Sequence, residues 1–245
     1  MERCAFASDL HHFSRRSDQE RFEAALRETV STIDRLVLGG DIFDFKWSTL
    51  ATHHATVAAA IDWLRELAAV NPSCAIDYVL GNHDFDPLLM EGLRELAVER
   101  SGFAWHPYLW QVADCLFLHG DVADRRMCHT KLERKRNAWS SHKRPHPLRH
   151  DLYDWALRLR LHKVPGWLIH RPRLVARRVL YYLDQHPEID RARIRRVYFG
   201  HTHVEIDGLE MEGVRFFNGG APIRNNSFRI MRLELPREPG RMAAE

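Results

Sequence analysis

The sequence predicts an α/β fold, a layered sandwich whose strands all feed one functional edge. Three observations predict it. Short, continuous apolar segments bounded by glycine read as buried strands. Amphipathic helical runs separate the first of these segments. Five segments end in residues able to do chemistry, and in open α/β sheets ligands gather at the carboxyl ends of strands.

Taken in order, "CAFASDLH" ends at Asp9 and His11. Ser17 and Glu20 form an S-x-x-E capping box, and Phe22, Leu26, Val30 and Ile33 follow at helical spacing. "RLVLGGDIFD" ends at Asp41 and Asp44. An alanine-rich helix is predicted from about Thr49 to Val70, where Asn71–Pro72 stops it. "AIDYVLGNHD" ends at Asn82, His83 and Asp84, and "PLLMEGLRELAVER" reads as a third helix. "CLFLHGD" ends at His119 and Asp121, and "RVYFGHTH" at His201 and His203. After His203, "VEIDGLEMEGVRFFNGG" reads as a hairpin, "SFRIMRLEL" as one more strand and "PREPGRMAAE" as a loose tail.

The stretch between the fourth and fifth strands, about residues 123–190, carries no strand pattern. It predicts three helices, roughly Cys128–Ser141, His150–His162 and Pro172–Gln185. "KRPHP" and "KVPGW" separate them, because proline breaks helices. The expectation is one domain over residues 1–245, with this stretch as a helical insertion or cap.

Bulk properties narrow the function classes. The chain has 245 residues, 45% of them apolar, enough for a sizeable core. There is no apolar run near 18 residues, so no membrane-spanning helix is expected. The first residues, "MERCAFASDL", do not read as a secretory signal. Cys4, Cys74, Cys115 and Cys128 form no CxxC pair and read as thiols in a reducing, cytoplasmic compartment. Between Ala123 and Arg178 there are 16 Lys/Arg against 4 Asp/Glu, a local +12 that leaves −9 elsewhere in a chain of net charge +3. Such a basic block suits an acidic partner, whether phosphate, nucleic acid or anionic membrane, or is a solvated face.

Each strand tip has a plain structural reading by itself. Asp9 could cap a helix, Asp41 close a turn, Asn82 sit in a left-handed turn and His119 be a satisfied core histidine. Four histidines, two aspartates and an asparagine at five strand ends are another matter, because burying them without a partner is costly. Carboxylates with imidazoles make the ligand set of Mn, Fe, Zn or Co.

In order, "DLH", "GDIFD", "GNHD", "HGD" and "GHTH" resemble the motifs of the calcineurin-like metallophosphoesterase superfamily. The resemblance covers residues 9 to 203 and implies a four-layer αββα sandwich. It implies that Asp9, His11 and His203 hold one metal, that Asn82, His119 and His201 hold a second, and that Asp41 bridges them. Two divalent ions follow, manganese foremost, with iron or zinc suiting the same ligands. The implied chemistry is in-line attack on phosphorus by a hydroxide shared between the metals. His83 corresponds to the outer-sphere histidine that assists the leaving oxygen, and Asp84 is expected to orient it. Asp44 and Asp121 are expected to support the ligands, and His12 to be incidental.

Within the superfamily, "FASDLHHF", "GDIFDFKW" and the basic insertion after "HGD" resemble the UDP-2,3-diacylglucosamine diphosphatases. That branch implies a lipid-linked sugar nucleotide as substrate and peripheral docking on the inner face of the cell membrane. This chain departs from it at His83, where the branch typically has arginine, and at "NGGAP" (Asn218–Pro222), where it usually has "GDW". "WLIHRPRLVARRVLYYL" offers Trp167, Leu168, Val175, Val179 and Leu180 beside Arg171, Arg173, Arg177 and Arg178; with Trp155, these suit an anionic lipid, a nucleotide diphosphate, or packing on the body. A phosphomonoesterase or phosphodiesterase on a soluble substrate is the alternative. A non-catalytic protein-binding scaffold is disfavoured by the complete ligand set, and nucleic acid by the lack of an aromatic stacking platform. The sequence does not encode an oligomeric state legibly.

Overall fold

Alternation along the strands sorts the chain into layers. The computed structural model describes residues 1–140, 171–186, 188–223 and 226–236. In β1 (Glu2–Ala7), Cys4 and Phe6 point to one side, and Ala5 and Ala7 to the other. Both sides are apolar, so both faces of the sheet are covered. β1, β2 (Arg35–Leu38), β3 (Ala75–Val79) and β4 (Phe103–His106) run parallel, with β10 (Met231–Leu235) antiparallel on β1. A second sheet has the order β5 (Leu109–Val112), β6 (Cys115–Leu118), β7 (Arg196–Tyr198), β9 (Val214–Asn218), β8 (Ile206–Met211). Its central strands β6, β7 and β9 are parallel and its edges antiparallel.

Three apolar clusters show the stacking. Cys4, Phe6, Val37 and Val79 meet Cys115, Phe117 and Tyr198 between the sheets. Ala5, Leu36, Leu38 and Ile76 pack under the helices α1 (Gln19–Thr32), α2 (His53–Val70) and α3 (Pro87–Glu99). Leu116, Leu118, Val197 and Phe216 pack under α4 (His129–Ser140) and α5 (Pro172–Asp184). Helices, sheet, sheet and helices follow one another, the αββα order expected.

Several details differ from the sequence reading. Ser17 does not cap α1: its hydroxyl donates to the Leu10 carbonyl at 2.6 Å, and the N-cap is Asp18, without a side-chain bond. The loop after β1 therefore takes the capping group. α2 begins at His53 rather than near Thr49, because the Thr52 hydroxyl accepts from the Ala55 N–H at 3.0 Å and fixes the first turn. β4 and β5 were not foreseen; they are four residues each, with half-buried faces at sheet edges, and give little periodic signal. The last strand is shorter than "SFRIMRLEL", and the expected hairpin forms between β8 and β9 with its turn at Glu212 and Gly213, both left-handed.

Of the insertion, α4 and α5 match two of the expected helices within a residue or two; the expected His150–His162 helix, Trp155 and Trp167 lie outside the described residues. In α5 the apolar side chains Val175, Val179, Leu180 and Leu183 are buried in the body, while Arg173 and Arg177 are exposed. The described part of the insertion thus turns its apolar face inward. No described helix is long and apolar enough to cross a membrane.

Candidate metal centre

The loops after β1, β2, β3, β6 and β7 meet at one end of the two sheets. Backbone bonds zip the first two together: Asp9 N–H to Gly40 O (3.0 Å), His11 N–H to Asp41 O (2.9 Å) and His12 N–H to Ile42 O (2.7 Å). This crowding needs glycine. A Cβ on Gly40 would sit 2.6 Å from the Gly81 nitrogen, and one on Gly200 would run into Asp9 and Ser8. The ligand candidates themselves adopt unusual backbone. Asp9, His11, Asp41, His201 and His203 all have φ between 47° and 64°. Non-glycine residues rarely sit there, at about 1–3 kcal/mol each, and such strain clusters at functional sites.

Three overlapping donor groups result, each with its ligand atoms within 4.8 Å of one another: Asp9, His11 and His203; Asp41, His119 and His201; and His11, Asp41 and His83, which joins the other two. In the first, the Nε2 atoms of His11 and His203 lie 3.1 Å apart, and His203 Nε2 lies 3.4 Å from Asp9 Oδ1. In the second, His119 Nε2 lies 3.4 Å from Asp41 Oδ2 and 3.3 Å from Asn82 Oδ1 and His201 Nδ1. Asp41 stands between the groups. Its Oδ1 accepts from the His83 N–H at 2.7 Å, which leaves Oδ2 facing His119 and, at 4.0 Å, His11.

Hydrogen bonds fix which ring atoms are free. His119 Nδ1 faces the Gly39 carbonyl at 3.1 Å, so it donates and Nε2 keeps a lone pair for the cluster. His201 Nε2 meets Asp124 Oδ1 at 2.7 Å, so Nδ1 is the free atom. His83 Nδ1 meets Asp44 Oδ1 at 2.9 Å, which leaves Nε2 toward Arg16 Nη2 at 3.4 Å and Asp41 Oδ2 at 4.0 Å. The backbone N–H of His201 meanwhile holds both oxygens of Asp9 at 2.9 Å, so one residue serves both groups.

The carboxylate on His83 is Asp44, not Asp84 as the sequence reading expected. Asp84 is spent on the loop itself, accepting from Gly81 N–H (2.5 Å), Ile42 N–H (2.9 Å) and the Tyr78 hydroxyl (2.6 Å). Burial and the neighbouring Asp41 push its pKa up to about 6. Asp121, expected as a support, is buried and held by both ends of the Arg136 guanidinium, at 3.0 and 2.8 Å. Stacked at its sequence neighbour's loop, His12 is also buried, at 4% exposure among Phe13, Phe22 and Trp63, away from the donor groups.

Two contributors went unforeseen. Arg16 Nη2 lies 2.7 Å from His11 Nδ1, 2.8 Å from Asp44 Oδ2 and 3.4 Å from His83 Nε2. Asp124 anchors His201 and is itself bound by Lys135 of α4 at 2.5 Å. Its position five residues after His119 was the available signal, but nothing in spacing alone aims it at His201.

Electrostatics match a cation site. Burial pushes the Asp41 carboxyl up, but His119, His83 and His11 outweigh it and hold it well below the usual range. Burial pulls the His119 imidazole down, yet Asp41, Asp9 and Asp121 raise it to about 10. Burial and Arg16 depress His11. Asp9, His11, His119 and Asp41 are at most 2% exposed, and so many lone pairs aimed at common points fit divalent ions.

The family model described as calcineurin-like phosphoesterase matches residues 2–205. Among solved structures, the chain is similar to a phosphopantetheinyl hydrolase from Mycobacterium tuberculosis, at 16% identity over 94% of this chain and 95% of that one, with a TM-score of 0.47. It is also similar to a dimetal phosphatase from Danio rerio, at 12% identity over 94% and 91%, with a TM-score of 0.47. At such scores neither likeness bears on chemistry. No curated protein sequence matches this one.

Proposed function

Because the chain belongs to the calcineurin-like phosphoesterase family, and is with it a metal-dependent phosphoesterase, we propose that its strand tips hold two divalent cations and hydrolyse a phosphoester or diphosphate. The observation that carries this reading is the convergence of five strand ends on overlapping donor groups around Asp41. Asp9, His11 and His203 would hold one ion, Asn82, His119 and His201 the other, with Asp41 available to both. Manganese, iron and zinc all suit these donors, with manganese the first choice.

Bound ions of this kind supply Lewis-acid charge for the phosphoryl oxygens and make water a nucleophile near neutral pH. The chain supplies position and protons. His83 presents Nε2 to the leaving oxygen and, with Asp44 bonded to Nδ1, carries a proton to it. Arg16, paired with Asp44, holds the His83 and His11 rings in place. Asp124 fixes the His201 ring so that Nδ1 faces the cluster.

A finer reading, a lipid-linked sugar nucleotide resembling UDP-2,3-diacylglucosamine, draws support from "FASDLHHF", "GDIFDFKW" and the basic insertion. Its described helix α5 supports that reading through charge alone, since the apolar side chains are buried. A soluble phosphate ester suits the same centre. The complete donor set argues against a scaffold without catalysis.

The test is to strip the protein with chelator, reload it with manganese, remove free metal, and measure bound ions and hydrolysis of bis-p-nitrophenyl phosphate in the same sample. Turnover should rise with bound metal and vanish on chelation. Metal bound without turnover of mono- or diesters, or turnover that survives chelation, contradicts the proposal.

A further inference from the structure

Groups that the metal centre does not use stand around His83. Trp139, near the end of α4, sets its ring 4.9 Å from the His83 ring at 61°. Lys46 comes from the same loop as Asp44 and places Nζ 4.2 Å from the centroid of that indole. Both side chains are half-buried. The strand-tip loop that orients the histidine therefore also sets a cation on the indole that packs against it, and the first helix of the insertion supplies that platform.

We infer that Lys46, seated on Trp139, is an anion subsite on the leaving-group side of the phosphate, and that it selects substrates whose leaving group carries a phosphate over those whose leaving group is uncharged. The inference rests on the reading above, in which His83 faces the leaving oxygen. Arg16 cannot be this extra charge, because Asp44 already pairs with it at 2.8 Å. Among the described residues no carboxylate pairs with Lys46, and its ammonium is held on an aromatic face instead. An ammonium restrained this way has given up rotamer freedom and part of its hydration. A neutral alcohol leaving group offers it nothing in return. A departing phosphate does, because charge grows on the bridging oxygen and the departing group as the bond breaks. With a diphosphate, water oxygen forms the new P–O bond, the bridging P–O bond breaks, and one water proton is released. The leaving oxygen keeps its electron pair, with His83 able to protonate it, so water is added across P–O–P and two monoesters result.

The test compares two substrates in the manganese-loaded enzyme: ADP-ribose, a diphosphate, and bis-p-nitrophenyl phosphate, whose leaving group carries no phosphate. Lys46→Gln should lower kcat/KM for ADP-ribose by roughly 10- to 100-fold, the usual effect of losing a bond to a charged group. The loss for bis-p-nitrophenyl phosphate should be much smaller, and Lys46→Arg should restore much of the ratio. Trp139→Leu should act in the same direction as Lys46→Gln, and Trp139→Phe less. Equal losses on both substrates, or a ratio unchanged in Lys46→Gln, would overturn the subsite. So would a wild-type enzyme that cleaves the diester and leaves ADP-ribose and UDP-glucose untouched; the phosphoesterase reading would survive that result. A metal-loaded wild type inactive on every ester would instead overturn the reading on which the subsite rests.

Discussion

Two buried groups of ionisable side chains occupy different parts of the same strands, and they are built differently. Between the sheets, near the amino ends, Arg35 of β2 pairs with Asp77 of β3 and with Glu2 of β1 at 3.1 Å, under the Trp110 ring. His106 closes the set with Asp77 at 2.9 Å. Each charge has a protein counter-charge, and the strands there are regular. At the carboxyl ends the buried donors are carboxylates and imidazoles aimed at one another, on left-handed backbone. The first group is closed; the second gathers donors that could hold a cation. Burial alone therefore does not mark a functional site. Unbalanced donors on strained backbone do.

Asp41→Ala should have the largest effect, because it is the one residue proposed to serve both ions. Both ions should be lost and hydrolysis should fall to background, as read by metal analysis and turnover on one sample. Retention of both ions would break the proposed sharing. Next in size, His83→Ala should keep the metals and lower kcat by roughly 10²–10⁴-fold. The loss should shrink for nitrophenyl esters relative to alkyl esters, which need a proton on the leaving oxygen. An equal loss on both would leave His83 an electrostatic role only.

The contrast sharpens at the other group. Arg35→Met leaves buried Asp77 with His106 alone, and breaking a buried pair this way costs up to about 3–5 kcal/mol. Denaturant unfolding should show that loss while metal content per folded chain stays the same; a loss of metal would show that the two groups are coupled. The smallest effect is expected from Asp124→Asn, which keeps the shape but weakens the hold on His201. Affinity at the second ion should fall by roughly 10- to 100-fold in a competition titration, with the first ion unaffected.

Much of this was legible in the sequence, and the limits have physical causes. The α/β sandwich and the seven donor candidates follow from apolar segments ending in DLH, GD, GNHD, HGD and GHTH, since chain direction delivers strand tips to one edge, and the four-layer order came from the resemblance those motifs carry. The partner of His83 was not legible. Asp84 is adjacent in sequence, but its side chain turns back to its own loop, while Asp44 arrives from the neighbouring strand. Arg16 and Asp124 escaped for the same reason: each meets its histidine through the fold rather than through spacing. For α5 the helical period was clear, but an amphipathic pattern reads the same whether its apolar face meets lipid or the protein's own core. Here it meets Leu116, Val197 and Phe216.

The central claim is that Asp41 stands between two ions held by the strand tips. Crystals of the manganese-loaded protein, with anomalous diffraction recorded near the manganese edge, test it most directly. Two peaks about 3.5–4 Å apart are expected, one among Asp9, His11 and His203, the other among Asn82, His119 and His201, with the Asp41 carboxylate between them. A single peak, or two peaks of which only one contacts Asp41, would contradict it.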